Sequence, residues 1–195
     1  MKILQNQTVW IGAALLSLIA LTRYNHFGSV AALPDASYAV FFLGGLFLGR
    51  VRGALAVMAL LLVEAALVDY YAINFNNVSA WCVTSAYGFL MVAYASLWFV
   101  GRWYAPRYDF SGKGLLGLAA ATVAAGSLAF VIANVSFYLL AGYFDSMSAA
   151  DYVASVSQYY GSYVEVTVLY VGCAVIVQMI HAVLTGKVQR DNKAV

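Results

Sequence analysis

Charge is what this sequence has least of. Only 9% of its 195 residues are charged, against about 25% in an ordinary soluble domain, while 64% are hydrophobic. A large soluble domain is excluded on that ground, and the chain reads as a single-domain membrane protein. Histidine and cysteine are scarce too, with two of each. Cys82 and Cys173 cannot build a disulfide framework, and their different depths within separate apolar runs argue against a bridge between them. No H-x-x-x-H or C-x-x-C spacing offers a zinc site, and there is no Walker motif, Rossmann fingerprint or Gly-x-Ser-x-Gly elbow. ATP hydrolysis by the chain alone is excluded with them. The net charge of +2 is too small for a nucleic-acid footprint, so no nucleic-acid partner is expected.

What the sequence does contain is six apolar runs, at about residues 7–24, 36–49, 53–71, 79–101, 114–142 and 162–184. A helix of roughly 20 such residues crosses a bilayer. The second run is the shortest and needs residues from about 30 onward, around Pro34 and Asp35, to complete a crossing (30–49). The first is read as a retained helix, because no convincing small-x-small cleavage site precedes Arg23. The runs are apolar on every face, which excludes the alternation of a membrane barrel. An all-α bundle of six transmembrane helices follows, ending in a polar tail from Lys187 to Val195.

With six spans, Lys2, Arg50, Arg52, Arg102, Arg107, Lys113, Lys187, Arg190 and Lys193 share one side, and Arg23 alone is on the other. Short loops rich in Lys and Arg stay in the cytoplasm, so both termini are expected there. The outer side then receives His26, Asp35, Asp69, Asn74, Asn76, Asn77, Asp145, Asp151 and Glu165, with many tyrosines. The stretch from about 142 to 163 reads as the longest connection, polar and rich in Tyr and Ser. Tyrosines suit the interface belt of a membrane protein, but a belt does not explain their bias to one side. A ring with a hydrogen-bonding tip also suits a large ligand with apolar faces and polar edges.

Among chemically capable residues, Cys82 is expected one turn into the fourth helix at the outer mouth, next to Trp81. Cys173 reads as mid-span packing. Asp69 closes the third helix on the outer side, Tyr87 follows Cys82 by five residues, and Glu64 lies inside the third span, five residues before Asp69. An ionisable group at that depth is a functional-site hypothesis by default, with neutral packing as the alternative. His26 belongs to the first outer loop and His181 to the inner end of the last helix, so the two cannot share a site.

The constellation of Asp69, twelve residues, Cys82, four residues, Tyr87, on a chain of this size with six helices, resembles the BtuM-type cobalamin transporters. These are solitary relatives of the substrate-binding S-components of energy-coupling-factor vitamin transporters. The resemblance covers nearly the whole chain. It implies that Cys82 ligates the cobalt of a corrinoid, that Asp69 and Tyr87 support the site, and that His26 approaches the metal region. It also implies uptake of cobalamin across a bacterial inner membrane, with the corrinoid as transported ligand rather than permanent cofactor. The small residues four apart that dock S-components on an energy-coupling module are represented only by Ala13 and Ser17, with Ala14 and Ala20 nearby. Such patterns are common in helix bundles, which weakens the case for a coupling partner and is compatible with a transporter acting alone. Two alternatives stay open: an S-component for another vitamin, and a membrane thiol enzyme with Cys82 as nucleophile and His26 as base. If sulfur takes the upper axial position on cobalt, any cyanide there must leave, so ligation would itself process cyanocobalamin.

Overall fold

The second apolar run, too short by itself to cross a bilayer, forms the centre of the molecule. In the computed structural model, which describes residues 2–23 and 33–185, it is helix α2 (Ser37–Leu48). Around it stand α1 (Lys2–Arg23), α3 (Ala54–Phe75), α4 (Phe89–Tyr104), α5 (Gly112–Leu140) and α6 (Ala149–Leu184), each in contact with it. Eleven of its twelve residues are buried, because a helix that is apolar all round has no face to offer to water. It is about 18 Å long at 1.5 Å per residue. Leu33–Ala36, expected to lengthen this helix, are not helical, and Tyr170 of α6 holds that segment by donating to the Pro34 carbonyl.

The packing of α2 on α4 depends on glycine. A Cβ on Gly45 would collide with the Trp98 carbonyl, and one on Gly101 with the Phe42 carbonyl. Trp98 itself is fully buried over Gly44. Removing two side chains at the crossing lets the backbones approach closely, the usual role of small residues between helices in a membrane. The turn from α2 into α3 needs a third glycine, since Gly53 adopts a φ of 83°, a region that residues with a Cβ avoid.

Helices α3, α5 and α6 are each long and apolar enough to cross a membrane. Their outward faces expose Leu60, Val63, Leu67, Leu139, Val177 and Ile180, a surface that suits lipid rather than water. This is a helical membrane protein with no strand among the described residues.

Two further departures from the sequence reading shape the site. The fourth helix begins at Phe89, ten residues beyond the expected start near 79, because residues 80–88 form two short 3-10 turns instead. The sixth begins at Ala149, so most of the expected polar connection is helix. Ser148 caps that helix: its hydroxyl accepts from the Asp151 amide and donates to the Asp151 carboxylate, an N-cap that starts a helix in a polar segment. At 36 residues, α6 is about 54 Å long, well beyond the ~30 Å of a hydrocarbon core.

Because Gly45 and Gly101 sit at backbone contacts, Gly45→Ala and Gly101→Ala should each destabilise the protein by about 2 kcal/mol or more. Gly12→Ala, in open space, should be neutral or stabilising by up to about 1 kcal/mol. Unfolding in detergent micelles followed by circular dichroism would compare the three.

Candidate functional site

The site begins where α3 ends. Asn77 takes a left-handed φ of 55°, and the Val78 amide donates back to the Ala72 carbonyl at 3.2 Å. This is the closing pattern that turns a chain out of a helix, and asparagine tolerates it best after glycine. Two hydroxyls then shape the loop. Ser79 accepts from the Trp81 amide and Thr84 from the Ala86 amide, each at 3.2 Å, local bonds that favour tight turns over helix. Cys82 lies between them, and Trp81 stacks on Tyr143 with ring centroids 3.9 Å apart, pinning the loop to the end of α5.

Beneath the loop is a charged hub. Arg23, the last residue of α1, is only 4% exposed. Its Nε donates to Asp69 Oδ1 at 2.7 Å and its Nη2 to Asp69 Oδ2 at 2.6 Å, a two-pronged fit of guanidinium to carboxylate. Nη1 donates to Ser37 Oγ at 2.9 Å and to the Tyr94 hydroxyl at 2.6 Å, and Nε also reaches the Ala65 carbonyl at 3.2 Å. Asp35 lies 3.8 Å from Nη1 and accepts from the Ser37 amide and hydroxyl. Asp69 Oδ2 has a second donor, the Tyr87 hydroxyl at 2.6 Å.

Arg23, Asp35, Asp69, Cys82 and Tyr87 all line one cavity of about 490 Å³, a volume typical of small-molecule sites. Aromatic side chains form much of the wall, among them Tyr38, Trp81, Tyr94, Phe137, Tyr152 and Tyr163. Tyr38 and Tyr163 meet at 5.3 Å between centroids. The overhanging first half of α6 supplies Tyr152, Ser155, Gln158, Tyr159 and Tyr163, so the tyrosine-rich segment is a helical wall rather than a loop. One guanidinium and two carboxylates are the only charged groups lining the cavity among the described residues, a formal charge of −1.

Burial, and the Asp69 carboxylate acting through space, push the Cys82 thiol above its ordinary pKa. Burial and the hydrogen bond donated to Asp69 likewise hold Tyr87 in its protonated form. The thiol is therefore a neutral, accessible group at rest, and it becomes a strong donor only where a positive centre displaces its proton.

Of the residues singled out in the sequence, the structure brings Asp69, Cys82 and Tyr87 to one cavity. Cys82 sits in the 3-10 turn Ala80–Cys82, not one turn into a helix. His26 lies outside the described residues, as do Lys187, Arg190 and Lys193. Cys173 is on the exposed surface of α6 rather than packed, and Glu64 does not line the cavity; its Oε2 is buried without a hydrogen-bond partner among the described residues. Sequence reasoning passed over Arg23 as the hub, and with it Tyr94, whereas Tyr38 and Tyr163 are among the outer-side tyrosines expected to face a ligand. The available signal for Arg23 was its isolation, one cation facing several acids on its side of the chain. No group of three or more metal-ligating side chains occurs among the described residues. No family model matches the sequence, and comparison with curated proteins gives no match.

In a Cys173→Ala background, the rate of Cys82 alkylation by iodoacetamide should rise with pH around a midpoint above that of a free thiol, near 8.5. Asp69→Asn removes the negative charge that opposes the thiolate, so its midpoint should fall and alkylation at pH 8 should accelerate. An unchanged midpoint would show that Asp69 does not act on the thiol.

Proposed function

We propose that this chain is a six-span uptake transporter of a bacterial inner membrane that captures cobalamin or a related corrinoid at its outer cavity and releases it to the cytoplasm. The observation that carries the reading is the Cys82 thiol opening into an aromatic cavity beside Asp69 and Tyr87. A thiolate is a strong soft donor for a transition metal, and the cobalt that it would ligate belongs to the transported molecule. The cavity's formal charge of −1 favours a cationic metal centre over an anionic ligand. Ring faces of a corrin lie well against tyrosine and tryptophan, and its amide fringe matches Tyr, Ser, Asn and Gln tips.

The orientation rests on charge. Arg50, Arg52, Arg102, Arg107 and Lys113 belong to the α2–α3 and α4–α5 connections or their edges, and Gly49 abuts Arg102, which supports gathering them at one cytoplasmic end. In single-cysteine proteins lacking Cys82 and Cys173, a cysteine at Arg52 should react only with reagents admitted to the cytoplasm. One at Asn76 should react from the periplasm, and the reverse pattern would remove the outer-site reading.

Binding is tested by colour. Purified protein mixed with aquacobalamin should show a visible spectrum shifted from that of the free ligand. Cys82→Ala should lose the shift and most uptake, and Cys82→Ser should lose the shift as well, because a hydroxyl near its normal pKa is a far poorer donor than a thiolate. Cys173→Ala should keep both. A Cys82→Ala protein with the shifted spectrum and full uptake would overturn the ligand role and reopen the identity of the vitamin.

A further inference from the structure

The most widely connected side chain of the site is not the thiol but Arg23. From the end of α1 it joins α2 through Ser37, α3 through Asp69 and Ala65, and α4 through Tyr94. It also reaches the loop that carries Cys82, because Asp69 Oδ2 accepts from both Arg23 Nη2 and the Tyr87 hydroxyl, each at 2.6 Å. Tyr87 is the residue through which this loop grips the bundle floor.

Geometry makes the order of this chain matter. A carboxylate alone turns freely about its last bond, and the direction of its free lone pairs turns with it. Held at both oxygens by a planar guanidinium, its plane is fixed. Here the guanidinium is itself fixed, since Nη1 donates to Ser37 and Tyr94 and the single Nε hydrogen is shared between Asp69 and the Ala65 carbonyl. The lone pair offered to Tyr87 therefore points in one direction, and the loop is set relative to four helices at once. A lysine at position 23 would preserve the charge but could not hold the carboxylate plane.

We propose that Arg23 is the positioning residue of the Cys82 site: acting through Asp69 and Tyr87, it holds the thiol-bearing loop in its binding geometry before any ligand arrives. The proposal rests on the reading of Cys82 as the ligating group, and it predicts that loop order precedes ligand rather than following it. A purely structural Arg23, present only to neutralise Asp69, would have no such effect on the loop.

Hydrogen exchange of the full chain in detergent, without corrinoid, separates the two. Tyr87→Phe cuts the relay at the loop while leaving Arg23 and Asp69 paired; exchange across residues 77–88 should accelerate at least tenfold, with α3 and α4 within about twofold of wild type. Arg23→Lys should do the same, and combining the two should accelerate the loop no further than either alone, because both break one chain of contacts. If Arg23→Lys fails to fold, Arg23→Gln with Asp69→Asn removes both charges together, and its loop should still exchange at least tenfold faster. Wild-type exchange of 77–88 in Tyr87→Phe would overturn the proposal, as would an additive effect in the double variant or uniform acceleration of all helices. The wild-type spectrum with aquacobalamin reports separately on the transport reading, so failure of one is distinguishable from failure of the other.

Discussion

The ion pair between Arg23 and Asp69 is the interaction on which both the fold and the site depend. Taking two charges into an apolar bundle costs several kcal/mol per ion and is tolerated only when nearly every donor and acceptor finds a partner. Arg23 meets that condition through two oxygens of Asp69 and through Ser37, Tyr94 and Ala65. These partners come from three other helices, so satisfying one guanidinium fixes how α1, α2, α3 and α4 converge. Losing one member of such a pair typically costs about 3–5 kcal/mol, because the other charge is left buried and alone. Evolution rarely keeps an arrangement this demanding in a membrane bundle without a functional return.

The cavity above the pair exists because the helices differ in length. Helix α2 occupies only about 18 Å of the bundle axis, while α5 and α6 have 29 and 36 residues. The long helices supply one wall of the cavity, with Asn134 and Phe137 from α5 and Tyr152 and Tyr163 from α6. The loop between α3 and α4 closes part of that space, clamped by Tyr87 on Asp69 below and by Trp81 on Tyr143 above. Cys82 lies between these clamps. The thiol is thus presented by a loop that is fixed to the bundle on both sides.

Asp69 has two effects that act together. Its hydrogen bond from Tyr87 orders the loop, and its charge adds to burial in raising the pKa of the Cys82 thiol. An empty cavity with a thiolate would be prone to alkylation and oxidation, since the thiolate is the reactive form. A protonated thiol is far less open to both. Arg23 offsets one of the two carboxylates, leaving the cavity with a formal charge of −1.

Much of this was legible in the sequence. Low charge and long apolar runs specify a helical membrane protein, since composition alone decides which solvent a surface tolerates. Asp69 and Cys82 stood out as polar or reactive residues near the outer ends of apolar runs, while their spacing to Tyr87 spoke only through the resemblance it carries. Boundaries were harder. Ser148 with Asp151 and the paired Asn76-Asn77 are local signals for a helix start and a helix stop, yet hydropathy alone smooths over both. What only tertiary structure decided is that the weakest apolar run is the core and that Arg23 is the hub. Burial of α2 depends on two glycines, Gly45 and Gly101, meeting across a crossing with α4. The role of Arg23 depends on partners 14, 42, 46 and 71 residues away in the chain. Periodicity reports on neighbours along one helix, whereas a buried charge is explained only by the groups that fold around it.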